Sequence, residues 1–135
     1  MKDLILCDLD GTLCDHSHRV HHVQKVGGNG LKRKPDWDAF YAEVKEDAPH
    51  NGVMTLLGHM LETRTVVFVT GRPERCRVDT VAWLEEYALH EHPLYMRKDG
   101  DFRADYIVKQ EILDTHTSTR TACCRWLRWR RQWVR

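Results

Sequence analysis

Two short apolar runs, Leu4-Ile5-Leu6-Cys7 and Thr65-Val66-Val67-Phe68-Val69, constrain this chain more than any other feature. Neither alternates apolar with polar residues, so neither suits a sheet with one face in water. Unbroken runs of this length, the second rich in β-branched residues, predict strands buried on both faces of a parallel sheet. Asp8 stops the first run, and Gly71 is expected to end the second. Leu94-Tyr95-Met96 is a weaker third candidate. Helical spacing fills the intervals. Trp37, Phe40, Tyr41 and Val44 recur at i, i+3, i+4 and i+7 behind Pro35, with Asp36 and Asp38 favouring the first turn. Met54, Leu57, Met60 and Leu61 mark a second helix. Val78, Val81, Ala82 and Ala88 mark a third, and Ile107, Val108 and Ile112 a fourth. Strands alternating with helices imply an α/β fold built on crossover connections.

The 135 residues make one domain, large enough to bury a core without disulfides or a structural metal. No run approaches a membrane span, and acids among the first ten residues exclude a signal peptide. Five cysteines without a CxxC pair argue against a zinc site or a disulfide framework, so a reducing cytoplasm is the expected location. Residues 15–34 are polar, rich in His and Gly and without a period, and read as a long loop.

The chemistry is concentrated in Asp8-Leu9-Asp10-Gly11-Thr12, at the C-terminal end of the first strand, where open parallel sheets bind ligands. Two carboxylates at i and i+2 point to the same side. One can act as a nucleophile while the other shuttles protons, and the pair invites a hard cation such as Mg²⁺. Gly11 lets the chain turn sharply. An acidic turn after a strand is the plainer alternative.

Asp-x-Asp-Gly-Thr after a short apolar strand resembles the first motif of the haloacid dehalogenase (HAD) superfamily of phosphohydrolases. Thr70-Gly71-Arg72 after the second strand resembles the second motif, and Lys109 in the helix after the third strand resembles the third. A finer resemblance is to the 3′-phosphatase domain of bacteriophage polynucleotide kinase/phosphatase. It is carried by Asp8 to Leu13, Arg19, Val69 to Arg72, the Trp37-x-x-Phe40 helix, and Gly100-Asp101-x-Arg103-x-Asp105 leading to Val108-Lys109. The resemblance implies a capless, HAD-like Rossmannoid parallel sheet, over residues 1–118. It also implies a Mg²⁺-dependent phosphomonoesterase acting on nucleic-acid 3′-phosphate ends or nucleotides. Asp8 would attack phosphorus and Asp10 would protonate the leaving group and activate water, both near the metal. Thr70 would bind a phosphoryl oxygen and Lys109 would offset negative charge, oriented by Asp105. Gly11, Thr12, Arg19, Gly71, Arg72 and Arg103 would complete the substrate site.

The resemblance breaks at the C-terminus. The superfamily's fourth motif is an apolar strand ending in acids about twenty positions after the third-motif lysine. It would lie beside the Asp8 strand, which its absence would leave as an exposed edge. After Lys109 this chain has only Glu111 and Asp114. Residues 119–135 hold six Arg, no acid and three of the five Trp, whereas residues 1–118 carry 15 Lys and Arg against 20 Asp and Glu. This segment is expected not to be the native partner of the core. A frameshifted or truncated end, a basic tail that binds nucleic acid, and a plain disordered end are the open readings. With the fourth-motif acids missing, a non-catalytic HAD domain that binds nucleic acid through its tail is the alternative function. His16, His18, His21 and His22 are spaced for a transition metal, although such a run is more often solvated. Cys14 reads as a small filler, and Arg97, Lys98 and Arg103 could touch a polymer backbone. Trp37, Phe40 and Trp83 read as core rather than as base-stacking platforms. Nothing in the chain indicates a membrane partner or sets the oligomeric state.

Overall fold

The computed structural model describes residues 4–117. Strand β1 (Leu4–Cys7) leads through a short β2 (Cys14–Asp15), helix α1 (Trp37–Ala42) and a short β3 (Ala48–Pro49) to helix α2 (Asn51–Leu61). Strand β4 (Thr65–Pro73), helix α3 (Arg77–Glu86), strand β5 (Leu94–Arg97) and helix α4 (Asp105–Thr117) follow. β1, β4 and β5 form a parallel sheet in that order, with Leu6 opposite Val67 and Val69 opposite Tyr95. β2 and β3 pair as a separate antiparallel ribbon, and residues 16–47 fill the lobe between them. The architecture is the α/β fold that the sequence pattern implies and the HAD-like Rossmann type that the resemblance implies.

Both faces of β4 are covered, as an unbroken apolar run requires. Val66 and Phe68 join Leu57 of α2 and Trp83 and Leu84 of α3 in the larger core. Val67 and Val69 meet Leu113 of α4 on the opposite face. Trp83 is almost wholly buried, and truncating so large a side chain costs about 3–5 kcal/mol. Among the described residues β1 is an edge strand, and the positions where a fourth-motif strand would fall lie outside them. Helix α1 starts where Asp36 accepts the Ala39 N–H at 2.9 Å, an N-cap that ends the extended stretch behind Pro35.

Several expectations are corrected. β4 does not stop at Gly71 but runs to Pro73, with an irregular register after Val69. Arg97 Nε donates to the Gly71 carbonyl at 2.9 Å and ties this extension to the end of β5. The third helix forms, but its buried residues are Thr80, Trp83 and Leu84, while Val78 is 80% exposed and Ala88 lies beyond the helix in a left-handed conformation. Thr80 can be buried because its hydroxyl accepts from Arg72 Nη1. The long loop begins as a 3₁₀ helix, Ser17–His22, and later closes a bridge between Val26 and Lys32. Its buried residue is Arg19, which a search for apolar periodicity does not register. Phe40 and Trp83 are core, but Trp37 is 49% exposed. The Arg- and Trp-rich segment 119–135 lies outside the described residues.

Candidate active site

The turn after β1 is organised by one carbonyl. Leu9 O accepts from the backbone N–H groups of Thr12, Leu13 and Cys14 at 2.8–3.0 Å. The chain must reverse at Gly11, whose φ of +76° a side chain would strain. This fold-back presents Asp8 and Asp10 at the C-terminal end of the sheet, on one floor but in different company.

Asp8 faces the open side. Its Oδ2 lies 2.8 Å from Lys109 Nζ, and its Oδ1 accepts the Leu9 N–H at 2.8 Å. Lys109 comes from α4, and Asp105, one turn earlier, holds the same amine at 2.7 Å. The sheltered floor of the cleft raises the Asp8 carboxyl above its ordinary value, with Lys109 pulling the other way and Asp105 adding to the rise. Burial opposes the charge of Lys109, but Asp8 and Asp105 outweigh it and hold the amine above its usual range. Asp105 can stand this close only because residue 71 is Gly: a Cβ there would collide with Asp105 Oδ1.

Asp10 faces inward. Its Oδ1 accepts from Arg19 Nη2 and Arg72 Nη2, each at 2.6 Å, and from Arg72 Nε at 3.1 Å. Both arginines are fully buried. Their second partner is Asp47, which accepts from Arg19 Nε at 2.7 Å and Nη2 at 2.6 Å, and from Arg72 Nη2 at 2.8 Å. Two guanidiniums therefore face two carboxylates, and charge closes within the cluster. Trp83 Nε1 donates to the Asp47 carbonyl, Arg19 Nη1 donates to Phe40 O, and no buried side-chain polar atom among the described residues lacks a partner. Burial would raise the Asp10 carboxyl, but the charges of Arg72 and Arg19 hold it below the ordinary carboxylate range.

The structure thus brings together Asp8, Lys109 and Asp105 on one side and Asp10, Arg19 and Arg72 on the other. The expectation that Arg19 and Arg72 reach out to substrate does not match their placement, because neither meets solvent and both direct their donors to carboxylates. Thr70 is likewise fully buried, and its Oγ1 accepts the Arg72 N–H at 3.2 Å. Thr12 contributes its backbone N–H to the turn. Arg103 stays on the outer surface, bonded to Asp101 and Glu111 at 2.7 Å each. Arg97 does join the site, because its guanidinium reaches Gly71 O and, at 3.4 Å, Asp105 Oδ1. Sequence reasoning missed Asp47, hidden in the charged stretch Glu43–Asp47. The available signal was charge arithmetic: two arginines near one carboxylate need a second one.

Asp10, Cys14 and Asp47 are the group of three candidate metal ligands that comes together among the described residues. It suits Mg²⁺ poorly. Guanidiniums already occupy both carboxylates, and burial pushes the Cys14 thiol far up, so it keeps its proton. Mg²⁺ takes hard oxygens and commonly only one or two carboxylates, with water and substrate phosphate completing its shell. Asp8 and Asp10 are the carboxylates that would hold it, Asp10 through Oδ2, since Arg19 and Arg72 bond its Oδ1. His22 turns to Glu43 at 2.8 Å, and His18 lies between Asp47 at 3.7 Å and Glu43 at 3.9 Å.

A family model described as the phosphatase domain of polynucleotide kinase PNKP matches residues 2–135. The chain belongs to this family. The match includes the Arg- and Trp-rich segment. A protein of Autographa californica nuclear polyhedrosis virus, named as a bifunctional polynucleotide kinase/RNA ligase, is 26% identical over 115 residues, covering 83% of this chain and 14% of the relative. A solved structure of the Pnkp1/Rnl/Hen1 RNA repair complex superposes with a TM-score of 0.62 at 26% identity, covering 85% of this chain and 32% of that one. A second structure of the Pnkp1/Rnl/Hen1 complex gives a TM-score of 0.65 at 25% identity, covering 88% and 35%. The chain therefore spans 14–35% of the length of these relatives. No helix among the described residues is long and apolar enough to cross a membrane.

Proposed function

We propose that this PNKP-type phosphatase domain hydrolyses phosphomonoesters at nucleic-acid 3′ ends through an aspartyl-phosphate on Asp8. The observation that carries the reading is the Asp8–Lys109 pair at 2.8 Å on an accessible floor, beside an Asp10 locked by two buried arginines. Asp8 Oδ attacks phosphorus and the bond to the leaving oxygen breaks, with Asp10 delivering the proton that oxygen needs. Water then attacks the aspartyl-phosphate, Asp10 takes its proton, and inorganic phosphate leaves. Lys109 offsets the charge crowded between phosphate and Asp8. The arginines favour charged Asp10, which suits the second half-reaction. The first half-reaction needs Asp10 protonated, so substrates whose leaving group requires no proton should react faster. Bound at Asp8 and Asp10, Mg²⁺ would neutralise phosphate charge.

The nucleic-acid part of the reading is supported by the family and by the RNA-repair relatives. One observation favours a second reading, a non-catalytic domain: no acid follows Asp114 in the sequence. Phosphate release from a 3′-phosphorylated oligonucleotide, measured with and without Mg²⁺, decides between them. Release that requires Mg²⁺ and Asp8 is expected. Binding without any release in excess Mg²⁺ would establish the non-catalytic reading.

A further inference from the structure

Helix α1 carries more aromatic surface than its packing uses. Phe40 anchors it: the ring is buried and lies 4.2 Å beneath the Arg19 guanidinium. Trp37, one turn earlier, is left 49% exposed. Its indole nonetheless has a defined orientation. It stacks on Tyr41 with centroids 5.9 Å apart and planes at 26°, and Phe40 fixes it edge-on at 5.6 Å. Tyr41 forms the inner end of this ladder. Burial pushes its hydroxyl up to about 12, with the charge of Asp10 adding to the rise and that of Arg97 opposing it. Arg75, from the segment after β4, stands over the Tyr41 ring at 5.8 Å and pairs with the exposed Asp38. Its backbone N–H is fixed by Asp99 at 3.0 Å, so the cation is held beside the ladder.

We propose that Trp37, stacked on Tyr41, is the platform for the nucleobase of the substrate's 3′-terminal region, with Arg75 beside it facing the nucleic-acid backbone. This rests on the phosphatase reading for the substrate, but the platform itself rests on the ring geometry. A flat indole fixed from below and open above offers stacking to any base, because every base has a π-face. Such a platform gives affinity with little sequence preference. It also explains why a six-residue helix keeps a large indole outside the core, where burial cannot repay it.

Two measurements test the platform. In the Asp8→Asn background, fluorescence anisotropy follows binding of a labelled single-stranded oligonucleotide to Trp37→Ala and Trp37→Phe. Trp37→Ala should weaken binding by about tenfold or more, and Trp37→Phe should recover most of the loss. With Asp8 intact, Trp37→Ala should raise KM for a 3′-phosphorylated oligonucleotide by at least that factor relative to its effect on an abasic sugar phosphate. Circular dichroism checks that α1 and the core persist. Unchanged anisotropy, or equal KM effects on the two substrates, overturns the platform. Absence of turnover on every phosphomonoester would overturn the phosphatase reading, and the anisotropy arm would still decide the platform.

Discussion

Asp8 and Asp10 are two residues apart, share one turn, and live in opposite surroundings. Asp8 meets one lysine, keeps 35% of its side chain exposed and is pushed up by the burial of the rest, whereas Asp10 meets two buried arginines and is held down by their charge. The difference shows how one loop can supply a carboxylate free to react and another that cannot move. What separates them is the next layer, because Lys109 arrives on α4 while Arg19 and Arg72 are backed by Asp47.

The largest expected effect is on the open side. Asp8→Asn keeps the shape and removes the nucleophilic charge, so turnover should fall on the order of 10³-fold or more. Stopped assays of phosphate release measure this, and retained activity would remove Asp8 from the chemistry. The closed side should respond in stability instead. Asp47→Ala leaves two fully buried guanidiniums on one carboxylate, and losing a partner from a buried pair costs about 3–5 kcal/mol. Urea unfolding that shows a loss below about 1 kcal/mol would mean that water enters and the clamp is not dry. Between the two lies Gly71→Ala, which should displace Asp105 and with it the Lys109 amine, lowering kcat by up to about 10²-fold. An unchanged kcat would show that Asp105 does not orient Lys109.

The smallest effect is the most discriminating. The folded carboxyl of Asp10 titrates below the ordinary aspartate value of about 3.9. Its contribution to stability is therefore complete above that value and is lost as pH falls through the folded one. Asp8 has the opposite sign. Its raised carboxyl binds its proton more tightly when folded, so stability declines as pH rises from about 3.9 through the raised value. At neutral pH Asp8→Asn should thus raise Tm, the small effect, while Asp10→Asn lowers it by an amount comparable to Asp47→Ala, since it too leaves two buried guanidiniums on one carboxylate. Shifts of the same sign in thermal unfolding would erase the distinction between the two sites.

The parallel strands were legible because Leu4–Cys7 and Thr65–Val69 are unbroken apolar runs, a pattern that burial on two faces dictates. The first turn was legible for the same kind of reason, since Gly11 and paired carboxylates have few other uses. The clamp was not legible. Arg19, Asp47 and Thr80 are buried by mutual charge and hydrogen bonding, which leaves no apolar period in the sequence. The α3 register failed for a related reason. Thr80 took an inward position through its bond to Arg72, and Val78 was turned out to solvent. Trp37 was misplaced because spacing reports which residues share a helix face, not how far the neighbouring layer extends.

Lys109 and Asp105 ride on α4, and Val108 and Leu113 are that helix's buried residues. The core beneath α4, Val67, Val69 and Leu113 with Leu4, Leu6, Tyr95 and Ile112 packed on it, is smaller than the ten-residue cluster on the other face of the sheet. Local opening free energy follows such anchoring, so α4 should exchange its amide hydrogens sooner than β4 or α3. Undocking of α4 would take the Lys109 amine away from Asp8. The fraction of molecules poised to react would then follow a helix-docking equilibrium, and whatever fastens α4 to the sheet would raise turnover without touching a reacting atom.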